Sequence, residues 1–235
     1  MAGILAIDTA TDACSVATHI HGETRERFEV IPRGHSARLF SMLQSLLPNG
    51  QLQEHGIEAL AYSCGPGSFT GLRVGASAIQ GLAYSNALPT VAVSTLALQA
   101  QTALRLGLVT SDDVLLSMID ARVNEIYTAQ VRFLDGLATV ELGPTACAPE
   151  DVALEDSTDW HAIGSGARFV SRLPKAIRDK VRAQHSDLLP AARDLIPLAR
   201  YALTKGETQS PQQIQPLYVR DEIGWKKLAE QGKAE

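Results

Sequence analysis

Apolar positions fall in short blocks at the start of the chain. Residues 3–7 are apolar and closed by Asp8, a polar turn covers 9–12, and 13–20 is again strand-like. This pattern predicts a hairpin, followed by a third strand over 26–31 that the segment from Pro32 to Gly34 breaks. From 36 to 47 the period becomes helical, with Leu39, Phe40, Met42, Leu43, Leu46 and Leu47 on a wide apolar arc, and Pro48-Asn49-Gly50 ends it. A fourth strand is predicted at 59–63, then a loop at 65–71 and a helix to about residue 84. A fifth strand at 90–93 leads through Ser94 into a helix ending near 106. Strands first and then alternating helices and strands describe an α/β domain.

The second half opens in the same way. Residues 114–119 are apolar and closed by Asp120, and 125–133 alternate as a strand. Ile4-Leu5-Ala6-Ile7-Asp8 overlays Leu116-Ser117-Met118-Ile119-Asp120 at an offset of 112 positions. A repeat of that length predicts a duplicated domain rather than stacked small units, although two unrelated buried strands ending in Asp would look similar. A third strand of this half is expected at 137–142, followed by a Pro-containing acidic stretch to 156. A strand at 161–163 turns through 164–167 into helices at 168–172 and 189–204. The tail is extended over 214–220 and amphipathic-helical over 221–230. The predicted organisation is an N-terminal domain at 1–106, a C-terminal domain at 107–210 and a tail at 211–235 that packs back on them.

The helix from Phe69 has one charged residue before Tyr84, Arg73. A helix that is apolar or small all round is buried all round, so its outer side is expected to meet a partner subunit. Neighbouring elements of the same chain are the alternative cover. Phe69, Leu72, Gly75, Ala76, Ile79 and Ala83 are the candidate contact residues, with Leu39, Phe40, Met42, Leu43 and Leu46 of the preceding helix. An interior Gly costs roughly 1 kcal/mol relative to Ala, so Gly71, Gly75 and Gly81 are expected where another backbone approaches closely.

Composition narrows the partners. The 235 residues carry 21 Lys+Arg against 26 Asp+Glu, a formal balance of −5, so no overall positive field draws in a polyanion. Three cysteines (Cys14, Cys64, Cys147) without metal-like spacing predict reduced thiols in a cytoplasmic setting. The start of the chain lacks a basic n-region, and no apolar run approaches the ~18 residues of a membrane span.

The segment Gly65-Pro66-Gly67-Ser68-Phe69-Thr70-Gly71-Leu72-Arg73-Val74-Gly75 is the densest candidate for chemistry. Opening a helix after a strand, it could offer N–H groups to an anion, or it could be a tight turn with Ser68 as N-cap. It fits neither the P-loop frame nor GxGxxG. Asp8 and Asp120 end first strands, where a duplicated ATPase would set two carboxylates across a nucleotide. The turns after them contain no Gly, which favours a structural ion pair or interface element at Asp120-Ala121-Arg122. His35 has Leu39 at i+4, so no HxxxH metal pair forms. His19 and His21 are expected on an exposed hairpin face. No GxSxG elbow occurs.

The Gly65–Arg73 segment resembles the TsaB (YeaZ) family, a subunit of the bacterial machinery for N6-threonylcarbamoyladenosine (t6A) at position 37 of tRNA. The resemblance extends through Ile4-Leu5-Ala6-Ile7-Asp8-Thr9, Cys14-Ser15-Val16-Ala17, His35-Ser36, Leu46-Leu47-Pro48 and Ser94-Thr95-Leu96. It continues through Asp120-Ala121-Arg122, Glu125-Ile126-Tyr127, and Pro216-Leu217-Tyr218-Val219-Arg220 with Lys226. It implies a duplicated actin-like (ASKHA) α/β fold and a non-catalytic subunit that binds TsaD, the transferase, with TsaE in the same assembly. Leu39 stands where TsaD needs its second metal-binding histidine. The resemblance also implies that the N-terminal helices contact TsaD, or form a homodimer in its absence, and that tRNA is reached only through the complex. It assigns no cofactor or metal to this chain and leaves open a nucleotide at the TsaD junction. The competing expectation is a metallopeptidase-like or ATP-hydrolysing enzyme of the same superfamily.

Overall fold

Two five-stranded sheets carry the two halves of the sequence in a computed structural model that describes residues 2–48, 51–154 and 159–219. The first sheet holds β1 (Gly3–Asp8), β2 (Ala13–Ile20), β3 (Glu23–Val30), β4 (Ile57–Gly65) and β5 (Thr90–Ser94) in the order β3-β2-β1-β4-β5. The second holds β6 (Leu115–Arg122), β7 (Glu125–Leu134), β8 (Leu137–Cys147), β9 (Trp160–Ile163) and β10 (Val181–His185). Read from its β8 edge, its order is β8-β7-β6-β9-β10. In each sheet the first three strands form an antiparallel meander and the last two add in parallel to the first. The two sheets therefore share one topology strand for strand, as a duplicated actin-like α/β fold requires.

Among the described residues five α-helices complete the layers: α1 (His35–Leu46), α2 (Phe69–Asn86), α3 (Thr95–Arg105), α4 (Lys175–Arg178) and α5 (Leu195–Lys205). All six residues of β1 are buried, and their alternation serves two cores. Leu5 and Ile7 face α1 and α2 with Leu39, Leu60 and Ile79. Ile4 and Ala6 face a middle layer where Leu96, Leu98, Leu195 and Leu198 meet Leu115, Ile119 and Val131 of the second sheet. A third core, on the far face of the second sheet, gathers Leu116, Met118, Trp160, Ala167 and Ile177.

The middle layer joins the halves through polar contacts as well as apolar ones. Gln99 on α3 donates to Ser117 Oγ at 3.0 Å and to the Ile163 carbonyl at 3.1 Å. The Ala192 and Arg193 amides donate to Ser15 Oγ at 2.9 Å and Glu26 Oε1 at 3.0 Å. Asp194 accepts from Arg105 Nε at 2.6 Å. Helix α3 packs on β6 and β8, and α5 on β1, β4 and β5. Each half thus contributes a helix to the other half's sheet.

The first half follows the predicted order, with β3 starting three residues before its predicted position. The second half departs further. The expected helix over 168–172 is a 3₁₀ helix, Ser165–Arg172, and the helix expected from 189 begins at Leu195 after a 3₁₀ turn at Ala192–Asp194. Pro190 disfavours helical geometry at residue 189, which accounts for the late start. Strand β10, absent from the prediction, reads Val-Arg-Ala-Gln-His, too polar and short to stand out. His19, expected on an exposed face, is buried and bonds Thr24 Oγ1 through Nδ1 at 2.8 Å.

After α5 the chain crosses back to the first sheet. Gln209 bridges Thr90 on the edge of β5, Ile214 enters the α1–α2 core, and the Leu217 amide donates to the Cys64 carbonyl at 2.7 Å. The predicted helix over 221–230, Arg220 and Lys226 lie outside the described residues.

Candidate docking face and closed strand-end site

Ser68 caps α2: its hydroxyl accepts from the Gly71 amide at 3.3 Å. The Ser68 N–H donates to the Ala10 carbonyl at 2.7 Å, and Thr9 Oγ1 donates to the Gly71 carbonyl at 2.7 Å. The Ser68 and Gly71 amides are thus engaged within the chain rather than offered to an anion. A Cβ on Gly71 would stand 2.0 Å from the Thr9 carbonyl oxygen, and one on Gly75 would stand 2.5 Å from Thr9 Oγ1. The two glycines let the helix lie directly on the turn after β1. Gly81 has open space around it, so the expected close approach applies to two of the three. Gly65 and Pro66 are buried beneath the returning tail, while Gly67 abuts Ala10 and Thr70 is exposed.

Asp8, at the end of β1, is fully buried. Its Oδ1 accepts from Ser63 Oγ at 2.5 Å and the Ala10 amide at 3.2 Å, and its Oδ2 has no partner. Burial pushes its pKa up to about 6, against the lowering effect of the two hydrogen bonds. Asp120 does not face it. Alternation along β1 turns Asp8 toward the middle layer with Ile4 and Ala6, whereas Asp120 follows Leu116 and Met118 to the far face of its sheet. There Asp120 pairs with Arg168, lies 3.7 Å from Arg122, and its amide donates to Ser165 Oγ at 3.0 Å. The ion-pair reading of Asp120-Ala121-Arg122 describes the geometry, and the two carboxylates do not clasp a common ligand. Glu125 and Tyr127 are half-buried on β7 beside them.

His35 is buried and its Nε2 bonds the carbonyls of Thr11 at 3.0 Å and Ala13 at 3.2 Å, tying α1 to the β1–β2 turn. Among the described residues no group of three or more His, Cys, Asp or Glu could hold a metal ion, and no helix is long and apolar enough to cross a membrane.

The chain's own elements leave the outer side of α2 open: Thr70, Arg73, Ser77, Gln80 and Tyr84 recur every three or four positions and form an exposed stripe. Of the candidate contact residues, Leu39, Met42, Leu43, Leu72, Gly75, Ala76, Ile79 and Ala83 are buried in the chain's own core, and Leu46 is half-buried. Phe40 and Phe69 remain exposed, at 62% and 47%, and Tyr84 joins them at 73%. Between α1 and α2 runs an open groove of about 500 Å³ lined by Ser36, Phe40, Phe69, Thr70, Arg73, Val74, Ser77 and Ala78. At one end Arg73 lies over the Phe69 ring, 3.6 Å from its centroid, and its Nε donates to Tyr218 Oη at 2.9 Å.

Comparison with known proteins connects this architecture to a family. A family model described as "TsaD: tRNA N6-adenosine threonylcarbamoyltransferase" matches residues 28–222. The chain is 39% identical to "tRNA threonylcarbamoyladenosine biosynthesis protein TsaB" of Escherichia coli, over 96% of this chain and 97% of that one. It is 35% identical to the protein of the same name from Haemophilus influenzae, over 96% of each. The chain belongs to the TsaB (YeaZ) family. A solved structure of "YeaZ from Pseudomonas aeruginosa" superposes with a TM-score of 0.83 at 36% identity, covering 93% of this chain and all of that one. Within this family setting, the GPGSFTGLR segment forms a helix start that packs on the turn after β1, and its Phe69, Thr70 and Arg73 reach outward to the groove.

Proposed function

We propose that this chain is a non-catalytic, activating subunit of the t6A machinery, which binds TsaD in an assembly that includes TsaE and acts in the cytoplasm. The observation that carries the reading is the exposed α1–α2 face, where Phe40 and Phe69 line an open groove and Tyr84 is exposed further along α2. Aromatic residues at such density on an outer face are the usual anchors of a protein–protein contact. The family's printed names supply the pathway. TsaD is then the partner this face holds, a second copy of the chain occupies it when TsaD is absent, and tRNA is contacted through the complex. That division of labour suits a chain with a balance of −5.

The closed strand-end site supports the non-catalytic part. Thr9 and Ala10 are covered by the start of α2, and Asp8, which faces the middle layer on the other side of β1, is fully buried. A nucleotide phosphate would have to displace the groups packed over Asp8 to reach this carboxylate. This geometry disfavours the ATP-hydrolysing alternative, and the Leu at position 39 disfavours the metallopeptidase-like one.

Phe40→Glu and Tyr84→Glu test the docking face. Each is expected to abolish co-elution with TsaD in size-exclusion chromatography while leaving the thermal midpoint of the isolated chain within a few degrees of wild type. Unchanged co-elution of both variants would overturn the assignment of this face.

A further inference from the structure

Arg73 is held in an unusual way for an exposed arginine. Its guanidinium lies flat over Phe69 with its carbon 3.6 Å from the ring centroid, Tyr218 stands 5.7 Å away on the returning tail, and its Nε donates to Tyr218 Oη. Phe69 and Tyr218 are themselves 5.9 Å apart and tilted at 42°. The three groups come from the helix start and from a tail segment 145 positions away in sequence. On this half Arg27 meets Ser45 Oγ and the Glu26 carbonyl, whereas Arg25 pairs with the carboxylate of Glu23 and Arg38 with that of Glu29. Arg73 has no such partner among the described residues; stacking and Nε fix the plane of its fork and leave its Nη donors for an acceptor.

We propose that Arg73 is a preorganised carboxylate receptor on the docking face, and that the surface it fits is a partner helix carrying an Asp or Glu beside a bulky aliphatic side chain. The inference rests on the docking reading above and specifies its chemistry. Charge complementarity selects the carboxylate: an oriented guanidinium fork matches two carboxylate oxygens, and little side-chain entropy remains to be lost on pairing. The groove beside it selects the aliphatic neighbour. It is lined by the Phe40 and Phe69 rings, Val74 and Ala78, and apart from Arg73 itself its polar side chains are the hydroxyls of Ser36, Thr70 and Ser77. Tyr218 is a positioning residue for Arg73, so the tail reports to the docking face through one hydrogen bond.

The test measures the dissociation constant of TsaD for the full chain and its variants between 50 and 300 mM KCl. Arg73→Gln is expected to weaken binding about 30-fold and flatten the salt dependence. Arg73→Lys is expected to restore the salt dependence but less than half of the lost binding free energy, because a point charge cannot reproduce the fork. Tyr218→Phe, which keeps the ring and loses the acceptor, is expected to weaken binding about threefold. Arg73→Glu combined with Asp/Glu→Arg substitutions on the TsaD surface should identify one position that restores affinity. If Arg73→Gln binds within twofold of wild type while Phe40→Glu is impaired, the face stands and the carboxylate receptor falls. If neither variant is impaired, the docking reading falls and takes this inference with it. Competition of wild-type binding by millimolar inorganic phosphate, absent in Arg73→Gln, would assign Arg73 to a phosphate and overturn the carboxylate.

Discussion

Gly71 and Gly75 lie against Thr9 more closely than any side chain permits, with added Cβ atoms at 2.0 and 2.5 Å from its oxygens. Gly81, on the same helix, meets nothing within 4 Å. Gly71→Ala and Gly75→Ala are therefore expected to lower unfolding free energy by roughly 1–3 kcal/mol each through overpacking. Gly81→Ala should raise it by up to about 1 kcal/mol, because only helix propensity and chain entropy change. Urea denaturation of the three variants separates close approach from propensity. Asp8 gives a second test at this scale. Its pKa is about 6 in the folded chain against an ordinary 3.8, so the folded state holds the proton more tightly than the unfolded one. Its contribution favours folding below pH 4, is lost as pH rises from 4 to 6, and stays lost above that. Asp8→Asn should flatten that slope and stabilise the protein at pH 8 by up to about 3 kcal/mol, measured by urea unfolding at pH 4, 6 and 8. That Asp8 sits at a strand end was legible in the sequence. That it is fully buried was not, because the groups around it come from distant parts of the chain, Ser63 among them from 55 positions away.

At the scale of elements, α1 and α2 divide sharply into inner and outer faces. Leu39 is fully buried and its neighbour Phe40 is 62% exposed. Leu39→Glu should unfold the chain or cost several kcal/mol, since it buries an unpaired charge. Phe40→Glu should leave stability within about 1 kcal/mol. Thermal melts of the two adjacent variants check both faces of α1 at once. The position and length of these helices were readable from periodicity and from the stops at Pro48 and Ser68. Which residues of α2 the chain itself leaves open was less legible, because Thr70 and Ser77 are small, uncharged and close in hydropathy to the buried Gly between them. The second half resisted more, because β9 has four residues and β10 five, and the connection between them is a 3₁₀ helix followed by a single-turn α4.

For the whole molecule, the repeat read from Ile4–Asp8 and Leu116–Asp120 foretold two sheets of one topology, and the sheets bear it out. The same overlay misleads about the carboxylates, since aligned residues 112 positions apart face opposite sides of their sheets. A one-residue difference in facing cannot be seen in an apolar run that is buried on both sides. The exchange of α3 and α5 between the halves was equally hidden, because sequence order places each helix with the wrong sheet. What results is a scaffold whose strand-end site is closed and whose outer helices are open, the arrangement on which the activating role is proposed. The most direct test is reconstitution of t6A formation from TsaD, TsaE, threonylcarbamoyl-AMP and tRNA, with and without this chain. The account predicts little product without it, restoration by the wild-type chain or Asp8→Asn, and no restoration by Phe40→Glu. Full t6A formation in its absence, or loss of activity with Asp8→Asn in a folded chain, would contradict the account.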